Sequence, residues 1–367
     1  MRYAQYSSGN ESGHGRASGE SAGSWRFGMA GDVPLTMKRK EKIMRHKKIV
    51  SRLCLLLALT MFSVSGCVKN PFTLQDSYED YYQEEKKAEK EEIRGMADDL
   101  AVVDREEQNT PGYQSGDYAD LLINDSTNEI ITSYRCFEKV YPASITKIMT
   151  ALLVLEKGDL DEEIVLDHDI VLTEDGAVVS TLSKGDTVTV DEVFHGMLVK
   201  SANDCAVILA EYIAGSEEAF VEMMNERAKE LGATHTHFMN PHGLHDDEHY
   251  TTAYDLYLIF NAVTRYDAFM DTVSLKDYTM TYTKPDGREV SEYMQSTNYY
   301  LLNTYPVPEG VSMYGGKTGT TSMAKSCLIV MTENNDGEKF FSVVLGAETK
   351  EDLYNSMSQL LEKVVKQ

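Results

Sequence analysis

Tyr141-Pro142-Ala143-Ser144-Ile145-Thr146-Lys147 is the stretch that decides the fold of this 367-residue chain. Its Ser-x-x-Lys pattern opens an apolar run that extends from Ile145 to Leu155. Proline is favoured just before or inside the first turn of a helix, so we expect Ser144 at a helix N-terminus. Residues three apart share one face of a helix, which would place Lys147 beside the Ser144 hydroxyl.

A serine beside a lysine is an arrangement that can make a hydroxyl nucleophilic. A serine hydroxyl is a weak nucleophile at its ordinary pKa and needs a nearby base. Lys147 can be that base only where desolvation or another cation lowers its pKa from about 10.4 towards neutrality. Taken alone, Ser144 and Lys147 are better explained as a helix cap and an exposed lysine. The prediction therefore depends on two further motifs.

Ser201-Ala202-Asn203 is the second motif, a Ser-x-Asn pattern. It lies between two apolar-periodic stretches, 193–199 and 205–213, as a loop between helices would. A serine in such a loop can relay a proton to a leaving amine, and Asn203 can bond to Lys147 or to a substrate backbone. The alternative is an ordinary helix cap at Ser201 or Asn203.

Lys317-Thr318-Gly319 is the third motif, and it follows Tyr314-Gly315-Gly316. We expect an exposed strand edge here, where Gly319 removes side-chain bulk so that a substrate backbone can add as an extra strand. Lys317 and Thr318 would then hold a terminal carboxylate by charge and hydrogen bond. For the glycine-rich segment alone, a plain turn is the alternative. The three motifs in this order favour an active-site serine enzyme.

The motif set resembles that of penicillin-binding proteins and class A β-lactamases. Over roughly Asp117 to Leu361, the chain looks like the low-molecular-mass penicillin-binding proteins, the serine D-Ala-D-Ala carboxypeptidases. Besides the motifs, the resemblance includes Asp204 and the segments Pro142–Ala151, Asn240–Leu244, His249, Thr251–Ala253 and Phe340–Ala347. One departure is Lys325, which stands where the family usually has glycine and which we expect near the cleft.

The resemblance implies a role for each site residue. Ser144 would be acylated by the penultimate D-alanine of a peptidoglycan stem pentapeptide, with Lys147 as its base. The proton network would be completed by Ser201 and Asn203. The substrate-binding residues would be Lys317, Thr318, Gly319 and Thr320. The oxyanion hole would come from the backbone N–H groups of Ser144 and Thr320.

The implied fold is α/β (α+β), with a mainly antiparallel sheet sandwiched by helices beside an all-helical lobe and the site between them. The coarse pattern agrees with this. It predicts a hairpin of strands 119–124 and 130–134, further strands at 327–331 and 340–345 joined by a turn at 334–337, and a closing helix at 351–365.

The implied activity is a D,D-carboxypeptidase that β-lactams inhibit covalently and that needs no cofactor. A D,D-endopeptidase acting on cross-linked muropeptides is an open alternative because both reactions use one site. A class A-like β-lactamase needs a glutamate-activated water, and no Glu-x-x-Leu-Asn stretch lies between Asn203 and Lys317. An inactive wall-binding or penicillin-sensing lipoprotein would carry a broken motif, and none of the three is broken.

The N-terminal region of the chain predicts the cellular location of the protein. Lys38–Arg52 is a basic run, Leu53–Phe62 is apolar, and Val64-Ser65-Gly66-Cys67 follows. We expect a signal peptide whose apolar core is too short for a confident membrane span. The last four residues resemble the lipobox of bacterial lipoproteins, which implies lipidation of Cys67 and an extracytoplasmic, membrane-anchored protein. The alternative is an ordinary secretory signal cut nearby.

Charge and composition divide the chain into four predicted parts. These are an upstream, non-structural extension (1–36, with Met37 as the expected start), a lipoprotein signal peptide (37–66), an acidic tether (67–111) and a D,D-carboxypeptidase domain (112–367). Of 35 basic and 59 acidic residues, 11 and 4 lie in 1–66, which leaves 24 and 55 and a net charge of −31 in the remainder. Such a surface argues against nucleic-acid binding and favours a covalent lipid anchor.

Neither the cysteines nor the histidines indicate a metal site. Beyond Cys67 the cysteines are Cys136, Cys205 and Cys327, an odd number without close spacing, so we expect no disulfide framework. Five histidines crowd one segment and could suggest zinc: His235, His237, His242, His245 and His249. No His-Glu-x-x-His pair is present, and two of the five belong to the family-like stretch.

Overall fold

The computed structural model describes residues 100–103, 109–110, 119–174 and 176–366. All of them belong to a compact unit that comprises Glu92–Gln367. The predicted signal peptide, Cys67 and most of the predicted tether lie outside the described residues. None of the helices within the described ranges is long and apolar enough to span a membrane.

The strands and helices follow one another in a mixed order. The strands are β1 (Ala119–Asn124), β2 (Glu129–Tyr134), β3 (Glu163–Val165), β4 (Thr187–Thr189), β5 (Asp277–Thr283), β6 (Glu289–Gln295), β7 (Val311–Thr321), β8 (Lys325–Asn334) and β9 (Lys339–Ala347). The α-helices are α1 (Lys147–Lys157), α2 (Val190–His195), α3 (Asn203–Ala214), α4 (Glu217–Glu230), α5 (Ala253–Val263), α6 (Asp267–Val273) and α7 (Lys350–Val364). A 3₁₀ turn (Ala143–Thr146) precedes α1, and a π-helical turn (Gly196–Lys200) follows α2.

The larger sheet has five antiparallel strands in the order β2-β1-β9-β8-β7, so β7 lies at its edge. Along β8 the residues alternate between two apolar clusters: Cys327 and Ile329 join one, and Leu328 and Val330 join the other. Both faces of the sheet are therefore covered, which explains why β8 and β9 are continuous apolar runs. The predicted hairpin, the paired strands and the turn at 334–337 are confirmed.

Helices cover the two faces of this sheet. On one face lies α7, whose buried positions are Leu353, Met357, Leu360, Leu361 and Val364. Thr349 caps α7 by accepting a hydrogen bond from the Asp352 backbone N–H at 3.1 Å. The opposite face packs in one cluster with buried residues of α1, α3 and α5. The predicted closing helix and the predicted sandwich of helices around an antiparallel sheet are thus confirmed.

A second sheet lies beside the helices that carry the second motif. It has four antiparallel strands in the order β3-β4-β5-β6. Met280 of β5 and Met294 of β6 are buried in the same cluster as α2 and the π-helical turn. This sheet was not anticipated from the sequence, and it supports the segment that leads into Ser201.

Part of the predicted tether packs on the domain. Ala101 is fully buried, and its backbone N–H donates to the Tyr257 hydroxyl at 3.0 Å. The Ala101 carbonyl accepts from the Tyr254 hydroxyl, also at 3.0 Å. Residues 100–103 therefore belong with α5, which moves the start of the folded domain ahead of the predicted residue 112.

Candidate active site

Ser144 lies in the 3₁₀ turn that leads into α1, as the Pro-Ala-Ser segment predicts. Ala143 has a positive φ of 48°, and the Ile145 backbone N–H donates to the Pro142 carbonyl at 3.3 Å. The turn is closed further by the Thr146 hydroxyl, which donates to the Ala143 carbonyl at 2.9 Å. Ser144 is half-buried between buried neighbours, so its hydroxyl has access to the cleft while its backbone is fixed.

Lys147 is the first residue of α1 and is completely buried. Its Nζ lies 3.1 Å from Ser144 Oγ, which confirms that the two side chains meet. Nζ also donates to Asn203 Oδ1 at 2.6 Å and to the His242 carbonyl at 2.7 Å. A neutral amine has two N–H donors and one lone pair. With both donors used by these oxygens, the lone pair faces the serine hydroxyl.

Electrostatics favour that neutral form. Burial lowers the pKa of Lys147 well below its usual value, and the nearby positive charge of Lys317 lowers it further. Burial also lowers the pKa of Lys317, to about 7. Burial and the positive charge of Lys317 thus both favour the neutral amine at Lys147, the form that can accept the Ser144 proton.

The second motif lies between two helices. Ser201 follows the π-helical turn with a positive φ of 65°, and Asn203 is the first residue of α3. Both side chains are buried, with 7% of Ser201 and 4% of Asn203 exposed. The predicted loop between helices is confirmed. The N-cap of α3 is Ala202 and no side chain caps this helix, so the alternative of a helix cap at Ser201 or Asn203 is wrong; the Asn203 side chain instead accepts from Lys147.

The residues on either side of the second motif hold it in place. The Asp204 carboxylate accepts the Ser180 backbone N–H at 2.9 Å and the Ser180 hydroxyl at 2.5 Å. Lys200 donates to Glu292 Oε1 of β6 at 2.5 Å and to the Val179 carbonyl at 2.7 Å. These bonds tie the Ser201 segment to the second sheet and to the chain around residue 180, which stabilises a backbone conformation unusual for serine.

The third motif lies on β7, the edge strand of the larger sheet. Lys317 is only 1% exposed, and its Nζ donates to Ser201 Oγ at 2.8 Å and to the Thr318 carbonyl at 2.9 Å. The Thr318 hydroxyl is hydrogen-bonded to that of Thr297 and remains partly exposed, while Thr320 is exposed. The strand prediction is confirmed, so the alternative of a plain turn is wrong.

Gly319 is needed because β7 approaches the nucleophile turn closely. A Cβ atom at this position would lie 2.8 Å from the Pro142 carbonyl oxygen and 3.0 Å from the Ser144 nitrogen. Any side chain would therefore push β7 away from Ser144. The close approach brings all three motifs together around one cleft.

The segment from Asn240 to Thr252 packs against the 3₁₀ turn that carries Ser144 and against the start of α1. Besides the His242 carbonyl, it supplies the Pro241 carbonyl, which accepts from the Thr150 hydroxyl at 2.6 Å. Gly243 has a φ of +86°, and a Cβ there would lie 1.9 Å from the Ala143 carbonyl oxygen. The role of these backbone atoms was not predicted from the sequence, although Gly243 in the family-like stretch was a signal.

The histidines of this segment contribute to packing. His249 Nε2 is 2.8 Å from the Thr146 hydroxyl, and burial lowers the pKa of His242 and of His249 to about 3. Both rings are therefore neutral and buried at ordinary pH. Across the described ranges, no group of three or more His, Cys, Asp or Glu side chains is arranged to hold a metal ion.

Lys325 is the first residue of β8 and has a positive φ of 60°. Its side chain is 44% exposed, and Nζ lies 3.1 Å from a carboxylate oxygen of Glu348. The left-handed backbone explains why glycine suits this position. In this chain a lysine occupies the rim of the groove next to the β7–β8 turn.

Comparison with known proteins agrees with this geometry. The family model for D-alanyl-D-alanine carboxypeptidase, peptidase family S11, matches residues 106–349, so the chain belongs to this family. A curated relative, the D-alanyl-D-alanine carboxypeptidase DacF of Bacillus subtilis (strain 168), is 34% identical over 249 residues. That match covers 66% of this chain and 60% of the relative, so the chain spans about 60% of the length of that protein.

Two solved structures are similar to the chain. The crystal structure of the Streptomyces K15 DD-transpeptidase has a TM-score of 0.62 at 26% identity, covering 69% of this chain and 97% of that one. Penicillin-binding protein D2 of Listeria monocytogenes, in its cefotaxime-bound form, has a TM-score of 0.56 at 28% identity, covering 69% of this chain and 98% of that one. The penicillin-binding protein fold expected from the sequence is therefore confirmed.

Proposed function

We propose that the protein is a serine D,D-carboxypeptidase that removes the terminal D-alanine from peptidoglycan stem pentapeptides and that penicillin acylates. The observation that carries this proposal is the position of Lys147 Nζ, 3.1 Å from Ser144 Oγ and held by two oxygen acceptors. Membership of the D-alanyl-D-alanine carboxypeptidase family supports the same reaction, and the cefotaxime-bound relative supports β-lactam binding.

The acylation step follows from the site geometry. The terminal carboxylate of the substrate binds Lys317 and Thr318, and the penultimate carbonyl lies against Ser144. Lys147 takes the hydroxyl proton while Ser144 Oγ attacks this carbonyl carbon. The negative oxygen that forms is held by the backbone N–H groups of Ser144 and Thr320, as the family resemblance implies. Such donors contribute roughly 2.7–4 kcal/mol each at comparable sites.

The leaving amine needs a proton when the peptide bond breaks. Lys317 donates to Ser201 Oγ, so the hydrogen of the Ser201 hydroxyl is available to the departing D-alanine nitrogen. Lys317, protonated below a pH of about 7, can then replace the proton that Ser201 gives up. Exchange with solvent then removes the proton from Lys147 and returns one to Lys317. A water molecule next attacks the acyl-enzyme while Lys147 takes its proton, and this proton passes to Ser144 Oγ as the shortened peptide leaves.

The decisive experiment is replacement of the nucleophile. Ser144→Ala should abolish both D-alanine release from a pentapeptide and covalent labelling by penicillin, because the hydroxyl forms the bond in each reaction. Mass spectrometry of the labelled wild-type protein should place the adduct on the peptide that contains Ser144. Labelling of Ser144→Ala at the wild-type rate would refute the assignment. A parallel incubation with cross-linked muropeptides measures any endopeptidase activity.

We also propose that the protein is a lipoprotein anchored outside the cytoplasm through Cys67. The basic run, the apolar core and the Val-Ser-Gly-Cys sequence support this, as does the acidic character of the remainder. A diacylated cysteine supplies two chains, which is the threshold for stable anchoring at about 0.8 kcal/mol per buried CH₂.

The anchor proposal is tested by Cys67→Ser. This variant should be released from membranes or remain as an uncleaved precursor, whereas Cys54→Ser, within the signal peptide, should leave anchoring unchanged. Membrane fractionation together with the mass of the mature N-terminus measures both outcomes. A Cys67→Ser protein that is still processed and membrane-bound would show that another anchor exists.

A further inference from the structure

One carboxylate, that of Glu292 on β6, joins two stretches of the chain next to the second motif. Its Oε1 accepts from Lys200 Nζ at 2.5 Å, and its Oε2 accepts from the Thr181 backbone N–H at 2.7 Å and from the Thr181 hydroxyl at 2.6 Å. Glu292 is only 9% exposed, so solvent and salt screen its pair with Lys200 weakly. Burial alone would raise the pKa of Glu292, but the hydrogen bonds from Lys200 and Thr181 hold this pKa below its usual value. The carboxylate is therefore charged at ordinary pH.

The stretch that Glu292 holds on its other side runs along the second motif. The Lys200 ammonium donates to the Val179 carbonyl at 2.7 Å. Two residues beyond Ser201, the Asn203 backbone N–H donates to the Val178 carbonyl, also at 2.7 Å. These bonds fix the chain on both sides of Ser201.

Ser201 has a backbone conformation that its surroundings must maintain. Its φ of 65° and ψ of 32° are left-handed, which is unfavourable for any residue with a Cβ atom. It also ends the π-helical turn, where its backbone N–H donates to the Gly196 carbonyl, and such wide turns are rare and occur mostly at functional sites. In this conformation the Ser201 hydroxyl accepts from Lys317 Nζ at 2.8 Å. Relaxation of the backbone would move the hydroxyl away from that lysine.

We propose that Lys200 and Glu292 are positioning residues for proton transfer to the leaving amine and that they act through Ser201. Their ion pair keeps the Ser201 hydroxyl within hydrogen-bond distance of the Lys317 ammonium. The O–H bond of Ser201 breaks as an N–H bond forms on the departing D-alanine, and Lys317 gives Ser201 the proton that restores the hydroxyl. The inference rests on the proposed carboxypeptidase function and adds two residues outside the three motifs to its proton path.

The test compares two substrates of the full-length protein that share one acyl group. One is the peptide, and the other is the thioester in which sulfur replaces the scissile N–H. An amine leaves only when it is protonated, whereas a thiolate, whose thiol has a pKa of about 8.5, leaves without a proton. The ratio of kcat/KM for the peptide to that for the thioester therefore measures proton delivery to the leaving group. Loss of folded enzyme lowers both values equally and leaves the ratio unchanged.

The expected results follow from the order of the groups. Lys200→Met should lower the ratio by about tenfold, whereas Lys200→Arg, which retains a cation for Glu292, should keep most of it. Ser201→Ala should lower the ratio by roughly 100-fold, as expected for loss of a general acid. Adding Lys200→Met to Ser201→Ala should lower it no further, because the group that Lys200 positions is then absent. Glu292→Gln, which removes the charge at nearly constant size, should reproduce the effect of Lys200→Met and replaces that variant in the test if it does not fold.

Lys284→Met is the matched control, because it breaks another lysine–carboxylate pair of the second sheet. Lys284 Nζ lies 2.8 Å from a carboxylate oxygen of Asp186, which is fully buried. This variant should lower the unfolding temperature and leave the ratio as in the wild type. Equal slowing of both substrates by Lys200→Met, the same ratio change in Lys284→Met, or a further loss in the Ser201→Ala background would overturn the positioning role and leave the carboxypeptidase function in place. Failure of the wild-type protein to release D-alanine from the peptide would overturn the proposed function itself.

Discussion

Replacement of Lys317 by alanine should separate carboxylate recognition from the other effects of this lysine. Lys317 is 1% exposed, and its Nζ donates to Ser201 Oγ at 2.8 Å. A charge-assisted contact to a substrate carboxylate contributes about 1.5–3 kcal/mol. Losing it should lower kcat/KM by roughly 10- to 150-fold for a peptide with a free carboxylate, relative to the same peptide with an amidated C-terminus.

The substitution also has effects that do not depend on the substrate's C-terminus. Lys317→Ala removes the positive charge that helps to hold down the pKa of Lys147, and it removes the donor to Ser201. Both changes slow acylation by either peptide, so the absolute rate of the variant cannot isolate the carboxylate contact. The ratio of the free to the amidated peptide removes these common effects.

The assay measures release of D-alanine from one peptide and of D-alaninamide from the other. Ser201→Ala is the matched control because it interrupts the proton path and leaves Lys317 charged, so it should slow both peptides by the same factor. If Lys317→Ala also slows both peptides equally, Lys317 does not bind the carboxylate, and its role is confined to the pKa of Lys147 and the hydrogen bond to Ser201.

Two further predictions concern pH and the turn beneath the nucleophile. The proposed reaction needs a neutral Lys147 and a charged Lys317, whose pKa is about 7. Therefore kcat/KM for the free-carboxylate peptide should fall as pH rises through about 7. A pH profile identical to that of the amidated peptide would contradict this. Gly243→Ala should lower the unfolding temperature and slow penicillin acylation, since its Cβ would lie 1.9 Å from the Ala143 oxygen. Gly287→Ala has a similar φ of +83° with open space around it, so it should cost only the backbone strain of about 1 kcal/mol; equal effects of the two variants would show that the clash is relieved.

The parts of the site that could be predicted from the sequence are those that short-range geometry determines. Ser144 and Lys147 meet because residues three apart share a helix face, and Ser201 was placed correctly because apolar periodicity stops on either side of it. The edge strand with Gly319 could be inferred from its glycines. In each case the residues that form the sequence pattern lie within about a dozen positions of the site residue whose location the pattern predicts.

The features that the sequence did not predict depend on contacts over long distances or on backbone atoms. The carbonyl that accepts from Lys147 belongs to His242, 95 residues away, and a carbonyl has no signature in a sequence. The pairing of Lys200 with Glu292 spans 92 residues. β3 and β4 have three residues each, too few to show an alternating pattern. Ala101 was assigned to a tether because its neighbours are charged, yet it is buried against α5.

The main-chain acceptor at His242 affects how the site can change by mutation. Replacement of the His242 side chain leaves its carbonyl in place, so this acceptor of Lys147 cannot be deleted by a substitution at that position. The hydrogen bond from Lys147 to this carbonyl is altered only by a substitution that moves the backbone, such as one at Gly243. A substitution at Gly243 would also disturb the turn that carries Ser144. Selection for escape from a covalent inhibitor therefore has few routes through this part of the site that preserve turnover of the natural substrate. Adaptation is more accessible at the exposed rim of the site, where the Lys325 side chain is 44% exposed.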